Sequence, residues 1–535
     1  MSAPIDSKVW GPPDSTLHLV AWNVSTRYLA IIVDGIIGLV LLPFNVEHLG
    51  PAAYGLWVLT TSVTWFFGVL DLGYGGAVVK FVAQYRAWRD RSALNEILST
   101  IAVVFTGIGF VCLLVTGVIA SQIDTFFNIQ PEQADTARRV LLIVGSYLSV
   151  RFAFAIFGSV VYGFQRYYLN NAVSIGVSLA VAAVNVGVLS GGHGLVTLVA
   201  ATTAVRAASL ILFAWNAYRV FPGLSVRPSL FRRARLREVT GFSIYMLVLD
   251  WSAKLNYSSD PLVIGALLDT TAVAVWTVGQ RLSLLAQQLT NQLTDALFPI
   301  VVDSDAGQHH ERLRKILVQG TKLSLALAAP LCVGLIVVAG PLVERWVGPG
   351  FSGSVILTRI LLVVVLVRIS SASANLILRG AGQHKLLAYT NASTAVINVA
   401  LCVVLIGPLG LAGVAFGTLI PVSAAALFVL YPAACRRVGV PLAQPVVQAI
   451  LPAMWPAVVM AGIMSVGVRY LSGNLLEIAI HLALGGLVYA ALFVGLAIGS
   501  AERRFYWTKL RSLIALQRRG GGAGEVATEA TSPRI

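Results

Sequence analysis

Apolar runs long enough to cross a bilayer recur fourteen times in this sequence, and short segments rich in arginine and lysine separate many of them. The runs fall at about 22–46, 54–79, 95–120, 138–163, 167–190, 194–217, 241–267, 272–299, 315–341, 354–379, 386–407, 410–434, 446–470 and 475–499. About 20 apolar residues in helical form match the hydrocarbon thickness of a bilayer. A segment in hydrocarbon must also pair its backbone groups internally, which selects helix. Only 11% of the residues are charged and 57% are apolar, whereas a soluble domain needs roughly 25% charge for its water-facing shell. The expected fold is an all-α integral membrane protein with about 14 transmembrane helices and loops too short for a soluble domain.

The net charge of +15 sets the topology. Lys80, Arg86, Arg89 and Arg91 follow helix 2, and Arg219, Arg227, Arg232, Arg233, Arg235 and Arg237 follow helix 6. Arg312, Arg314 and Lys315 follow helix 8, Arg379 and Lys385 helix 10, Arg436 and Arg437 helix 12. The odd loops are bare or acidic, as with Asp124, Glu132 and Asp135. By the positive-inside rule the even loops and both termini are cytoplasmic. No basic run is long enough for nucleic acid, and none is expected as a partner. The first apolar run is too long for a cleavable signal. Cys112, Cys332, Cys402 and Cys435 are scattered without metal-ligand or disulfide spacing. GxSxG, Walker and HExxH motifs are absent, so the expectation is a transporter with no catalytic residues, no metal and no cofactor. Any energy input must then come from an ion gradient or the membrane potential. His481 in helix 14 reads as a packing residue.

Three matches at one spacing mark an internal repeat. Leu49–Trp57 opens helix 2 and Leu268–Trp276 opens helix 8; Gly163–Arg166 closes helix 4 and Ala381–His384 follows helix 10; Gly194-Leu195 and Gly410-Leu411 open helices 6 and 12. Six helices per repeat place both copies in the same orientation, as parallel repeats about an axis along the membrane normal. The organisation expected is a cytoplasmic N-terminal segment over 1–21, a six-helix lobe over 22–217 and a basic inter-lobe loop over 218–240. A second six-helix lobe over 241–434 follows, related to the first by pseudo-twofold symmetry. Helices 13 and 14 over 446–499 and a basic, partly disordered tail over 500–535 complete it. Phe505–Arg519 in that tail reads as an amphipathic stretch for the anionic leaflet.

Charges inside the apolar runs point to function, because each costs at least about 2.5–3.5 kcal/mol near mid-bilayer unless it faces protein or water. Arg151, Arg206, Arg281 and Arg368, with Lys254, fall near mid-depth, while Asp34 and Asp250 are the mid-depth carboxylates and Asp260 lies nearer an end. The surplus is cationic. Asp250 and Lys254 can pair at i, i+4, and Arg281, Gln288 and Asp295 share a heptad stripe on helix 8. Structural ion pairs between helices are the alternative reading of all these charges. A guanidinium without a carboxylate suits the oxygens of a phosphate. Arg151, Arg206, Arg281, Arg368, Lys254 and Gln288 are therefore the candidate substrate-binding set. The break at Asn256, Ser258, Ser259, Asp260 and Pro261 suggests a kink, a hinge or an ion site.

Leu49-Gly50, Tyr54-Gly55-Leu56-Trp57 and Leu70-Asp71-Leu72-Gly73-Tyr74-Gly75 running into Val79–Ala83 resemble the first two helices of the Wzx-like polysaccharide flippases. These are O-antigen and exopolysaccharide transporters of the multidrug/oligosaccharidyl-lipid/polysaccharide exporter superfamily. Asp260–Gly265, Arg281-Leu282 and Phe298-Pro299 resemble the start of that family's second lobe. The resemblance covers helices 1–12 and implies a bacterial inner-membrane protein that flips an undecaprenyl-pyrophosphate-linked oligosaccharide by alternating access. It also implies coupling to protons or sodium, with Asp34, Asp250 and Asp260 as candidates, and partnership with a polysaccharide polymerase and a chain-length regulator. A lipid II flippase and a multidrug antiporter of the same superfamily remain alternatives.

Overall fold

The computed structural model describes residues 16–71, 74–240, 259–295, 301, 303–305, 307, 309–470, 474–499 and 503. Among these every regular element is a helix, with no strand. The helices are α1 Thr16–Phe67, α2 Tyr74–Trp88, α3 Arg91–Ser121, α4 Pro131–Gly163, α5 Tyr167–Ser190 and α6 Leu195–Val220 in the first half. In the second half they are α7 Asp260–Leu267, α8 Thr270–Asp295, α9 His310–Trp346, α10 Gly353–Gly380, α11 His384–Leu409 and α12 Leu411–Val438. α13 Ala443–Tyr470 and α14 Leu475–Ala497 pack on α9.

Eleven of these are long and apolar enough to cross a membrane. α8 is too polar to count on hydropathy, and the expected seventh run lies outside the described residues up to 258. α1 has 52 residues, about 78 Å at 1.5 Å per residue, which is more than one crossing. Gly50, with φ 76° and ψ 161°, divides it. That combination is open to glycine almost alone, and Pro51 follows as a residue suited to a helix's first turn. Gly50→Ala is expected to lower stability by about 1–3 kcal/mol, read as a lower melting temperature in detergent. An unchanged melting temperature would contradict this reading of the turn.

The expected run 54–79 is not one helix. A 3-10 turn over Gly68–Asp71 interrupts it. The Asp71 carboxylate then accepts the Gly75 N–H at 3.0 Å, satisfying one of the free donors at the start of α2. The Asp71–Gly75 motif is a helix break with its own cap.

The basic loops gather at one end of the bundle. Asn95 Nδ2 donates to Gly223 O at 3.0 Å, Ser225 N donates to Asn95 Oδ1 at 3.0 Å, and Arg232 N to Thr100 Oγ1 at 3.0 Å. Arg235 pairs with Glu96 and Glu238, both at 3.3 Å, and donates to the Tyr85 hydroxyl at 2.7 Å. The segment 221–240 is therefore bound to the first half along its length. In the second half Arg437 holds Asp305 at 2.9 Å at the same end. There, too, burial and the nearby Arg166 guanidinium lower the pKa of Arg86, which lies over the Phe164 ring.

Candidate functional site

The two halves meet along a seam that closes toward the end opposite the basic loops. Asn128 N donates to Gly265 O at 3.0 Å, and its side-chain amide to Leu268 O at 2.5 Å. Thr270 Oγ1 donates to Gln133 Oε1 at 3.3 Å, and the Trp346 indole to Leu39 O at 3.0 Å. A Cβ on Gly55 would stand 1.7 Å from Thr270 O, so glycine alone permits this backbone approach. Leu56, Leu59, Ile264, Val273 and Trp276 bury themselves in one core that both halves share.

Arg281 ends this series. It lies eleven residues into α8, about 16 Å along the helix from Thr270. Its Nη2 donates to Asp34 O across the seam at 3.3 Å. Of the hydrogen bonds named between the halves, this one lies deepest. The guanidinium rests on α1 at Gly38, and its Nε is buried without a hydrogen-bond partner among the described residues. A buried donor left unmade costs about 1–3 kcal/mol, so the group stands ready for an acceptor. Toward the basic end, Gln288 on α8 and Asp34 and Arg27 on α1 are exposed.

Arg206 and Arg151 belong to the first half and are exposed, neither engaging a polar side chain among the described residues. Val199, Thr202, Leu210 and Ala217 form a buried stripe on α6, and Arg206 sits at its centre. Arg206 therefore interrupts the helix's packed face as an exposed residue. Arg151 lies on a half-buried face of α4 flanked by Tyr147, Phe154 and Gly158. The Phe164–Phe221 stack fixes α4 against α6. Counted from it, Arg151 is thirteen residues and Arg206 fifteen residues along, about 20 Å in each case.

Arg368 belongs to a different neighbourhood. Its Nη1 donates to Gln287 Oε1 at 3.5 Å. Asp260 is 4% exposed and faces the Cys402 thiol at 3.9 Å. Pro261 occupies the first turn of α7, a favoured place for proline, so Asp260 and Pro261 open this helix; Asn256 and Ser258 lie outside the described residues. Cys402 Sγ also faces Val414 O at 3.5 Å, and Asn398 Nδ2 donates to Thr418 Oγ1 at 2.9 Å. The Asn398 carbonyl oxygen is buried with no partner among the described residues. This cluster across α7, α11 and α12 escaped sequence reading, because its members are 142 residues apart and individually ordinary.

The four arginines thus divide by helix. Arg281 stands on the seam, Arg151 and Arg206 on first-half helices, and Arg368 beside Gln287 of α8. Asp250 and Lys254, and the side chain of Asp295, lie outside the described residues. Arg359 donates to Ile336 O at 3.2 Å, and His481 contacts Met464 O at 3.1 Å in a packing role.

Comparison with known proteins accords with this architecture. A family described as polysaccharide biosynthesis protein matches residues 48–356. The chain is 25% identical over 404 residues to the uncharacterized membrane protein EpsK of Bacillus subtilis (strain 168), covering 73% of this chain and 78% of EpsK. It is 22% identical over 492 residues to a protein named probable flippase AglR of Haloferax volcanii, covering 89% and 96%. In fold it is similar to the lipid II flippase MurJ in an inward closed conformation, with a TM-score of 0.70 at 14% identity over 88% of this chain and 98% of that one. It is also similar to an inward-facing multidrug resistance transporter of the MATE family, with a TM-score of 0.59 at 17% identity over 77% and 94%. With more than half of its length matched, the chain belongs to the polysaccharide biosynthesis protein family, and its fold is that of the flippase and transporter structures just named.

Proposed function

We propose that the protein flips a lipid-linked oligosaccharide with a polyprenyl-pyrophosphate anchor, for surface polysaccharide assembly at a bacterial inner membrane. The observation that carries this reading is Arg281, a mid-depth guanidinium at the end of the closed seam with a buried donor left unmade. A diphosphate offers the oxygens its planar fork fits; a cationic drug would be repelled. The basic end is read as cytoplasmic from its charge, so cargo enters there, passes Arg151 and Arg206, and meets Arg281. Rocking of the two six-helix lobes then opens the seam on the other side. Lys254 and Gln288 remain in the proposed cavity set, together with Arg368. Polymerase and chain-length regulator partners would receive the product.

Asp260 is the coupling site we propose. Its carboxylate, the orphaned Asn398 oxygen, Thr418 Oγ1 and Val414 O offer hard oxygen donors for a sodium ion, and a proton on Asp260 is the other choice. Asp260→Asn is expected to insert normally and lose the stimulation that a sodium or proton gradient gives to transport. Full gradient dependence in that variant would remove Asp260 from coupling. Asp34 and Asp250 would then be the carboxylates to test.

The function itself is tested in proteoliposomes with a fluorescent polyprenyl-diphosphate oligosaccharide and the same lipid bearing an uncharged linkage. Movement of the first and not the second supports the reading. Equal movement of both, or export of cationic dyes instead, would overturn it.

A further inference from the structure

A Cβ added to Gly38 would lie 1.4 Å from Arg281 Nη2, 2.4 Å from Cζ and 2.9 Å from Nε. The whole guanidinium is therefore laid against the backbone of α1, in a notch that only glycine leaves open. From that notch Nη2 reaches Asp34 O at 3.3 Å. One turn further toward the basic end Gly35 receives Leu285 in the same manner, at 3.3 Å from its would-be Cβ. The two partners belong to different halves, so the contact depends on how the halves are placed. It is made where the seam toward Thr270 is closed.

We infer that Gly38 is a positioning residue, and that Arg281 seated on it forms a latch between the halves which the diphosphate of the cargo undoes. The inference rests on the phosphate reading of Arg281 only for the part played by cargo. A carbonyl oxygen is a weaker partner for a guanidinium than a phosphate oxygen, and the latch leaves Nε unsatisfied. A diphosphate reaching the guanidinium from the basic end satisfies more of its donors and draws it off α1. Binding of cargo and release of the seam then pass through one side chain. Differential affinity for the two arrangements is what a ligand needs in order to shift their balance.

Gly38→Ala isolates the latch. The added methyl meets only the far end of a flexible side chain, and alanine favours helix more than glycine does. The variant should therefore fold with Arg281 displaced. Arg281→Gln removes the latch from the other side without altering α1. Thr270, 2% exposed within the seam, is changed to cysteine as reporter in each background; the four native cysteines are buried. Labelling by a membrane-impermeant maleimide from the seam side follows the fraction of time the seam is open.

Without cargo, both variants should label about tenfold faster than the parent, the change expected from losing one hydrogen bond to a charged donor. Parental rates in either variant would overturn the latch. Polyprenyl diphosphate added from the basic side should raise the parent's rate toward that of Gly38→Ala and leave both variants unchanged. If the variants label fast but the lipid does not speed the parent, the phosphate reading of Arg281 is overturned and the latch stands.

Discussion

Arg281→Ala is expected to reach the membrane in normal amount, to melt at or slightly above the parental temperature, and to flip a polyprenyl-diphosphate oligosaccharide about 100-fold more slowly. That factor corresponds to about 2.7 kcal/mol, within the range for charge-assisted hydrogen bonds to a guanidinium. Stability should hold because the side chain has no carboxylate to leave behind, and because its Nε is already an unsatisfied buried donor. Arg281→Lys should fall between the two. It keeps the charge but presents a point where a planar fork is needed. Near-parental flipping by Arg281→Ala would remove this residue from the transport path.

Joining the halves across the closed seam should stop transport altogether. Asn128 and Leu268 approach through the Asn128 amide at 2.5 Å from Leu268 O, and Asn128 N also bonds Gly265 O at 3.0 Å. Cysteines at 128 and 268, oxidised or bridged by a short thiol-reactive linker, hold the seam in the arrangement seen. Release toward that side requires it to part, so transport should drop to background and return on reduction of the disulfide. The same cysteines without oxidant should transport at close to the parental rate. Continued transport after complete crosslinking would mean that cargo leaves by a route outside the seam.

The membrane architecture was open to reading from the sequence, because two independent physical signals report it. Apolar run length speaks to bilayer thickness, and the arginines and lysines of the even loops speak to sidedness. The pairing of Arg437 with Asp305, and the docking of 221–240 against Asn95, Glu96 and Thr100, put those loops at one end as their charge implied. The break at Asp71 was missed because hydropathy is indifferent to a side chain that turns back to cap Gly75. Arg281 was one of four arginines that the sequence marked as a cationic surplus. Its partners Asp34 O and Gly38 were not marked, since a backbone carbonyl and a missing side chain carry no sequence signal of contact. The grouping of Asp260, Asn398, Cys402 and Thr418 arises only when α7, α11 and α12 pack, and spacing along the chain cannot disclose it. The even treatment of the four arginines in sequence likewise gives way to three distinct settings.

The most direct measurement is the structure of the protein with a polyprenyl-diphosphate oligosaccharide bound in lipid nanodiscs. Diphosphate density against the Arg281 guanidinium, with that side chain lifted from Gly38 and the sugar lying toward Arg151 and Arg206, is the expected result. Cargo bound elsewhere, with Arg281 still seated on α1, would contradict the central claim that this guanidinium receives the anionic end of the substrate.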